Sequence, residues 1–493
     1  MRRLASFLSL ATAATLVALV LGGCGIRKLT QPDSTPNTTI FIQGVVDTAG
    51  VNHIVHLHWY GTDPHGYIVG YEVRLLNPSA PADTSWQFTT RTDSLVTVYT
   101  PDGRTSAVFE ARAINDKGVR DPDPARQLFN FRNQPPVVRL VSRPNAGDRS
   151  DTTFASATVR WTVTDVDGDA SKVVCQIWLD GNAGSPDPAP GTSFTVPSAR
   201  FLQGGQYRSG RRTLYIRAVD DGGMAGSIDS VSWYVRAPVT GARARLLLID
   251  DVPTTAAAKF RVDTLYVNAI ANARAMGGVQ NGEWSVLHLQ SNQPFRSPKD
   301  LEQTFEQFET VIWYRGEQAT QPTVLTTYGS GIGPYLDSGG KMFLETLEMV
   351  ASWSSNGAFT TDFTSRYLDS DGVFVYAQPP DSSASWGLAQ RDSVVLRCPL
   401  LGDSLLNLRN ISGLRAFKIR DDSQVLIVAP AHRLTQNNPY DFAVALDVPQ
   451  AGGGRFIVTT YPMVSATIST PAFPQRASLV LLKILGRLGL TGP

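Results

Sequence analysis

The sequence is poor in the residues that build redox, metal and nucleic-acid sites. Among 493 residues there are three cysteines, Cys24, Cys175 and Cys398, and six histidines. So few and widely spaced thiols do not make the disulfide framework that staples small secreted domains, and no Cys/His spacing fits a structural zinc site. An excess of one charge is also missing: 44 Lys and Arg stand against 43 Asp and Glu, a formal net of +1. That balance argues against nucleic acid as a partner, because phosphate binding needs clustered basic residues. Beyond residue 21 no segment offers the roughly 20 apolar residues that a membrane-crossing helix needs. P-loop, dinucleotide fingerprint, G-x-S-x-G elbow and H-E-x-x-H motif are all absent. What is present, 42% hydrophobic and 18% charged residues, suits folded globular modules, at a length for about three domains.

The one long apolar run opens the chain. Arg2 and Arg3 precede residues 4–21, softened only by Ser6, Ser9, Thr12 and Thr15, and Gly22-Gly23 leads into Cys24. A basic start, an apolar stretch and a small-residue cleavage site describe a secretory signal, residues 1–23. The segment Leu21-Gly22-Gly23-Cys24 resembles the lipobox of bacterial lipoproteins. The resemblance implies lipidation of Cys24 and anchoring to a membrane, since acyl chains contribute about 0.8 kcal/mol per buried CH₂. Gly25, in place of aspartate, implies an outer-membrane or cell-surface location in the cell envelope. Removal of the signal leaves 42 basic and 43 acidic residues. Residues 24–37, rich in Thr, Pro and Ser, read as a lipidated stalk.

Two Pro-containing breaks, at Asn133-Gln134-Pro135-Pro136 and Ala237-Pro238-Val239-Thr240-Gly241, divide the remainder into segments 38–134, 137–238 and 243–493. The first two repeat each other. Trp59-x-x-Thr62-Asp63-x-x-Gly66 recurs 102 residues later as Trp161-x-x-Thr164-Asp165-x-x-Gly168. Arg112-Ala113-x-x-Asp116-x-Gly118 recurs 105 residues later as Arg217-Ala218-x-x-Asp221-x-Gly223. Two matched clusters in the same order indicate tandem copies of one module. Each copy carries short alternating strands, such as His56-Leu57-His58-Trp59 and Thr158-Val159-Arg160-Trp161, separated by turn residues, the pattern of an antiparallel β-sandwich. Leu57-x-Trp59, Ile68-Val69-Gly70-Tyr71-Glu72-Val73 and Phe109-Glu110-Ala111-Arg112-Ala113 resemble strands of fibronectin type III and related immunoglobulin-like domains. The resemblance is weaker in the second copy, where the third-strand motif has drifted to Lys172-Val173-Val174-Cys175.

The third segment changes period. Apolar strands are predicted at 246–249, 284–289, 310–314, 341–344, 425–428, 442–446 and 455–459, with helices near 256–276, 301–308, 324–336 and 477–488. Buried strands alternating with helices predict an α/β domain with a mostly parallel, flavodoxin-like sheet, interrupted by an insertion at about 352–424. Phe308-Glu309-Thr310-Val311-Ile312-Trp313 and the run from Tyr335 through Asp337-Ser338-Gly339-Gly340 to Leu344 resemble class I glutamine amidotransferase-like domains over about residues 244–350. Active members of that family carry a cysteine on a tight turn after the strand matched by 341–344. This chain continues Glu345-Thr346-Leu347-Glu348, so the resemblance implies the fold without amidotransferase chemistry. The fold expected for the whole chain is therefore multidomain: two antiparallel β-sandwiches followed by an α/β domain.

Candidate sites are few. Asp250-Asp251 ends the first α/β strand, and open α/β sheets bind ligands beyond the carboxyl ends of their strands. Arg315, Glu317, Glu345 and Glu348 are the polar residues placed to join them; the alternative is an acidic loop capping the next helix. Asp165, Asp167 and Asp169 resemble a calcium loop, although Ala170 and Gln176 replace the required Gly and final Glu, which leaves at most weak calcium binding. His53, His56, His58 and His65 cluster in the first module, and His56 and His58 share a strand face, yet no cysteine or carboxylate nearby completes a metal set; the reading is a solvated or partly packed strand face. No other cofactor is implied. Trp59 and Trp161 fall at core-strand positions. The last helix, with Lys483 and Arg487 among leucines, reads as a closing element packed on the sheet. The function expected is that of a non-catalytic, lipid-anchored envelope protein that binds a protein or glycan or supports envelope architecture, the sandwiches serving as spacer and interaction arm. The alternative is a divergent hydrolase with an acidic site at Asp250, Asp251 and Glu345.

Overall fold

The computed structural model describes residues 34–47, 52–77, 85–99, 104–142, 144, 152–166, 170–181, 183–238, 244–254, 256, 259–280, 282–318, 323–347, 361–375, 387–388, 394–407, 411–412, 414–429, 443–463 and 472–492. Cys24, Asp167, Asp169 and Glu348 lie outside them. The chain divides into two compact units, one of residues 1–134 with 165–172 and 220–224, the other of the remainder.

In the first unit seven strands form a β-sandwich: β1 (Asn37–Asp47), β2 (Asn52–Thr62), β3 (Ile68–Leu76), β4 (Gln87–Thr89), β5 (Asp93–Tyr99), β6 (Arg104–Asn115) and β7 (Ala125–Arg132). They make two antiparallel sheets, ordered β1-β2-β5 and β4-β3-β6-β7. Successive side chains of a strand point to opposite faces. On β2 this buries Val55, Leu57 and Trp59, which pack with Phe109, Ala111 and Phe129, and turns His56 and His58 outward.

The second unit contains the second sandwich and the α/β domain. The sandwich comprises β8 (Val137–Ser142), β9 (Ala157–Thr164), β10 (Val174–Leu179), β11 (Asp187–Ala189), β12 (Ser193–Val196), β13 (Leu202–Gln203), β14 (Gln206–Tyr207), β15 (Gly210–Val219) and β16 (Asp229–Val235). Its sheets run β12-β9-β8 and β11-β10-β15-β16, with a β13-β14 hairpin and Trp161, Trp233 and Phe201 in the core. The repeat read in the sequence recurs in turn geometry. Asn115 N–H donates to the Val119 carbonyl at 3.0 Å, and Asp220 N–H to the Met224 carbonyl at 3.1 Å. The Asn115 and Asp220 side chains accept from the amides of Val119 and Met224. Gly118 and Gly223 close these turns with φ of 76° and 81°, which explains the glycine at both positions.

Among the described residues, thirteen strands and six α-helices follow. The strands are β17 (Ala244–Asp250), β18 (Trp284–His288), β19 (Phe308–Tyr314), β20 (Lys341–Glu345), β21 (Ser370–Val375), β22 (Gly387–Leu388), β23 (Val394–Cys398), β24 (Asp403–Asn407), β25 (Ile411–Ser412), β26 (Arg415–Ile419), β27 (Val425–Val428), β28 (Ala443–Pro449) and β29 (Arg455–Thr459). The helices are α1 (Lys259–Ala275), α2 (Pro298–Phe305), α3 (Thr323–Tyr328), α4 (Ile332–Asp337), α5 (Thr361–Tyr367) and α6 (Ala472–Arg487). Eleven strands share one sheet. The order β18-β17-β19-β20-β29 is parallel throughout; beyond β29, strands β28, β27, β23, β24, β26 and β21 pair antiparallel. The expected mostly parallel sheet is therefore a mixed one. The cause is that β28 pairs antiparallel with β29 and β27 with β28, and that β21, β23, β24 and β26 from the region around 352–424 extend the sheet further, while β22 and β25 pair only with each other.

Helices α1 and α6 cover one face, where Leu265, Tyr266, Ala269, Val480, Leu481 and Ile484 pack over Leu248, Ile312 and Phe343. The amphipathic last helix is thus spent on the core; among the described residues no helix is long and apolar enough to cross a membrane. Helices α2, α3 and α4 cover the other face. The single helix predicted over 324–336 is broken at Gly329-Ser330-Gly331. A side chain on Gly331 would bring its Cβ to 2.1 Å from the Pro298 carbonyl oxygen, so glycine lets this turn approach α2.

The second sandwich is packed on this domain. Phe154 stacks edge-on against Phe308 at 5.2 Å and belongs to the same core cluster as Trp313 and Val311. Ala155 N–H donates to Gln307 Oε1 at 3.1 Å, Ser198 N–H to Gln303 Oε1 at 3.0 Å, and Asn292 Nδ2 to the Thr152 carbonyl at 2.8 Å. Ser297, the N-cap of α2, meets the Thr158 hydroxyl at 2.7 Å. Asp300, fully buried beside it, accepts from the backbone amide of Arg296 at 3.2 Å, with Ser156 and the Thr158 amide also against its carboxylate. Burial raises its pKa to about 6 against those hydrogen bonds.

Candidate strand-end site

The parallel strands end in one row of polar residues. In register, His288 of β18 lies beside Asp250 of β17, Asp250 beside Tyr314 of β19, Tyr314 beside Glu345 of β20, and Glu345 beside Thr459 of β29. This is the edge at which such sheets carry their ligands.

Asp250 is buried and held by Lys259, His288 and a backbone amide. Lys259 Nζ on α1 lies 2.5 Å from its Oδ2, His288 Nδ1 lies 2.7 Å from the same oxygen, and Val252 N–H donates to Oδ1 at 3.1 Å. Asp250 thus links the loop at Val252 to Lys259 at the start of α1. Lys259 also reaches Asp263 at 3.3 Å. Burial alone would lower the Lys259 pKa, but Asp250 and Asp263 outweigh it and raise the value. The His288 side chain is 58% exposed and is the open edge of the cluster.

Asp251 has a separate donor set. Arg315 Nε approaches to 3.0 Å, Gln290 Nε2 donates at 2.9 Å and Trp313 Nε1 at 3.3 Å. Asp251 and Arg315 are both buried, and burial raises the Asp251 pKa against the opposing pull of Arg315. Adjacent residues at a strand end face opposite ways, so Asp250 joins the α1 side with Tyr314 while Asp251 joins Trp313.

Glu345 is also saturated. Its Oε1 accepts from Gly316 N–H at 2.9 Å; its Oε2 accepts from Tyr266 OH at 2.8 Å and Met463 N–H at 2.9 Å. Tyr266 stacks on Tyr314 with ring centroids 4.1 Å apart, and Tyr314 OH donates to Asp263 at 3.1 Å. Burial and the nearby carboxylates push both phenols well above their ordinary pKa, which leaves them neutral donors. Glu345 thereby ties β20 to α1, to the turn after β19 and to the loop after β29.

Asp250 thus closes β17 with Asp251 directly after it, Glu345 closes β20, and the hydrogen bonds given above come to each of them from different groups. Arg315 joins Asp251; Glu317 is half-buried in the following turn. The sequence reading missed His288, Lys259, Tyr266 and Tyr314. The end of the predicted strand at 284–289 was the available signal for His288; α1 residues carried none until the packing was known. Elsewhere, Asp165 is half-buried. Its repeat counterpart Asp63 clamps its own loop, accepting from Ser34 Oγ, from His65 N–H at 2.9 Å and from Asn115 Nδ2 at 2.7 Å. These bonds, Ser34 foremost, lower the Asp63 pKa. Cys175 and Cys398 are buried free thiols, and burial raises both, Cys398 to about 12.

No protein-family model matches the chain, and no curated protein matches it. Solved structures similar to part of it include the fibronectin(III)-like modules of CbhA from Clostridium thermocellum, at 16% identity over 40% of this chain and 94% of that one, with a TM-score of 0.18. They also include the FN1–FN3 domains of chicken CNTN1, at 13% identity over 45% of this chain and 69% of that one, again with a TM-score of 0.18.

Proposed function

We propose that this protein is a lipid-anchored, extracytoplasmic binding and scaffolding protein of the cell envelope, whose α/β domain keeps an amidotransferase-like frame without its chemistry. The observation that carries this reading is Glu345. The amidotransferase resemblance puts the nucleophile just past this strand; here both oxygens of the preceding carboxylate are occupied by Tyr266, Gly316 and Met463. A carboxylate saturated by the protein's own donors is a structural tie, and a buried one is costly to disturb. The order β18-β17-β19-β20-β29 corresponds to the flavodoxin-like 2-1-3-4-5 and supports that frame for the parallel half of the sheet.

The binding role falls to the first sandwich. Phe41 and Tyr60 stack at 5.3 Å on its outer face, 50% and 45% exposed, an arrangement suited to a protein or glycan partner. The second sandwich, packed on the α/β domain, acts as its support. Cys24 supplies the membrane anchor through the lipobox-like segment, with the outer membrane or cell surface as its destination.

The test has two arms. Fatty-acid labelling is expected in the wild-type protein and lost in Cys24→Ala; labelling of that variant contradicts the anchor. A panel of ester, amide and glycoside substrates is expected to show no turnover above that of Asp250→Ala. A second reading, a divergent hydrolase, is favoured by one feature: His288 Nδ1 is oriented by Asp250 while its ring faces solvent, the arrangement of a general base. Robust turnover abolished by both His288→Ala and Asp250→Ala establishes that reading and overturns the first.

A further inference from the structure

We infer that the outer face of the first sandwich carries a divalent transition-metal site made by His56, His58 and Asp93. This site does not rest on the function proposed above. His56 and His58 stand two apart on β2 and share its solvent face, their rings 4.5 Å apart between centroids. The third ligand is invisible in the sequence, 35 residues further on, and is delivered by strand pairing: Asp93 of β5 stands directly opposite His58. Its Oδ2 lies 3.2 Å from His56 Nε2. One ligand atom from each of the three lies within 4.8 Å of the others. Ligands of a tetrahedral zinc ion, about 2 Å from the metal, lie roughly 3.3 Å apart, so small side-chain rotations close the set without backbone movement.

The chemistry of the donors selects the metal. Two imidazoles and one carboxylate suit zinc, nickel, cobalt or copper, and are a poor set for calcium or magnesium, which take oxygen ligands. The site is open to solvent, with the Asp93 side chain 51% exposed, so water completes a fourth position. The two strands are held in register from Asn52↔Tyr99 to His58↔Asp93, and just beyond that last pair Trp59 N–H donates to the Thr92 carbonyl at 2.8 Å, so backbone pairing fixes the spacing of the ligands before any metal arrives. Competing thiols are poor: Cys175 and Cys398 are buried with raised pKa.

The experiment is titration of the full-length protein with Zn²⁺ by calorimetry, paired with Co²⁺ absorption as a report on coordination number. The wild type is expected to bind one Zn²⁺ at this site and to give the intense visible bands of four-coordinate Co²⁺. His56→Gln, His58→Gln and Asp93→Asn are each expected to weaken binding at least about tenfold, since even outer-shell partners of a metal are worth about 10- to 100-fold. His58→Gln is the decisive variant: it keeps the His56–Asp93 hydrogen bond, so its loss of affinity reports ligation, and an unchanged circular dichroism spectrum confirms the fold. His65→Gln and His288→Gln are expected to bind as the wild type does. Equal affinity in the wild type and His58→Gln, or no saturable binding by the wild type, overturns the site.

Discussion

Two clusters of ionisable side chains invite functional readings, and they are built in opposite ways. At the strand ends of the α/β domain, Asp250, Asp251 and Glu345 are buried and each is met by its own donors. On the first sandwich, His56, His58 and Asp93 are partly exposed on one strand face, with a ligand atom of each within 4.8 Å of the others. The first cluster sits where α/β enzymes place their chemistry, yet its carboxylates are engaged in cross-linking loops and helix α1. The second sits on a scaffold module, with Asp93 half-exposed at the surface. Position in a fold raises the prior for a site; satisfaction of the side chains decides it.

The comparison predicts how each part responds to damage. The largest effect is expected at Arg315. Its removal leaves Asp251 buried without its cation, and breaking a buried pair costs about 3–5 kcal/mol. Chemical denaturation of Arg315→Ala is expected to show that loss; a change below about 1 kcal/mol means that Asp251 is solvated and the cluster open. Next comes the joint of the second unit. Phe154→Ala removes a ring shared by the second sandwich and the α/β core, at an expected cost of about 3 kcal/mol. Unfolding followed by probes in each domain is expected to remain a single transition in the wild type and to split in this variant. If the wild type already unfolds in two separate steps, the sandwich is no part of that unit's core.

A smaller effect is expected from pH at the same joint. Burial raises the Asp300 pKa from 3.8 to about 6. Its contribution to stability is fully present below about pH 3.8 and is lost as pH rises through about 6. A shift of that size corresponds to roughly 2–3 kcal/mol. Other carboxylates pull the other way, because Asp63, Asp421 and Glu72 have lowered pKa values. The readout is therefore the difference between wild type and Asp300→Asn: stability of the wild type relative to the variant is expected to fall between pH 4 and 7. A flat difference contradicts a protonated Asp300 in the folded protein.

Much of this organisation was legible in the sequence. The 102- and 105-residue offsets identified the tandem modules, because Trp59 and Trp161 must be buried and Gly118 and Gly223 must take positive φ. The ends of apolar runs located Asp250 and Glu345. What was not legible was long-range. Asp93 became a partner of His58 only through the register of β2 and β5, which no local pattern encodes. The antiparallel half of the sheet was hidden because β21, β23, β24 and β26 are short and irregularly spaced. The packing of the second sandwich on the α/β domain is not legible in the sequence because Phe154 and Ser156 lie in a loop, where a sequence pattern does not distinguish a solvent-facing residue from one packed on another domain. Saturation of the strand-end carboxylates was equally hidden: Tyr266, Gly316 and Met463 converge on Glu345 from three separate segments.

The sign of one stability change separates a structural tie from a working site. Groups kept for function are often strained, and replacing them tends to stabilise a protein; groups kept for structure destabilise it when replaced. Glu345→Gln places an amide nitrogen against backbone N–H donors at Gly316 or Met463. If Glu345 is a structural tie, the unfolding free energy of Glu345→Gln falls by about 1–3 kcal/mol. An unfolding free energy equal to or above that of the wild type contradicts the account and marks the strand ends as a working site.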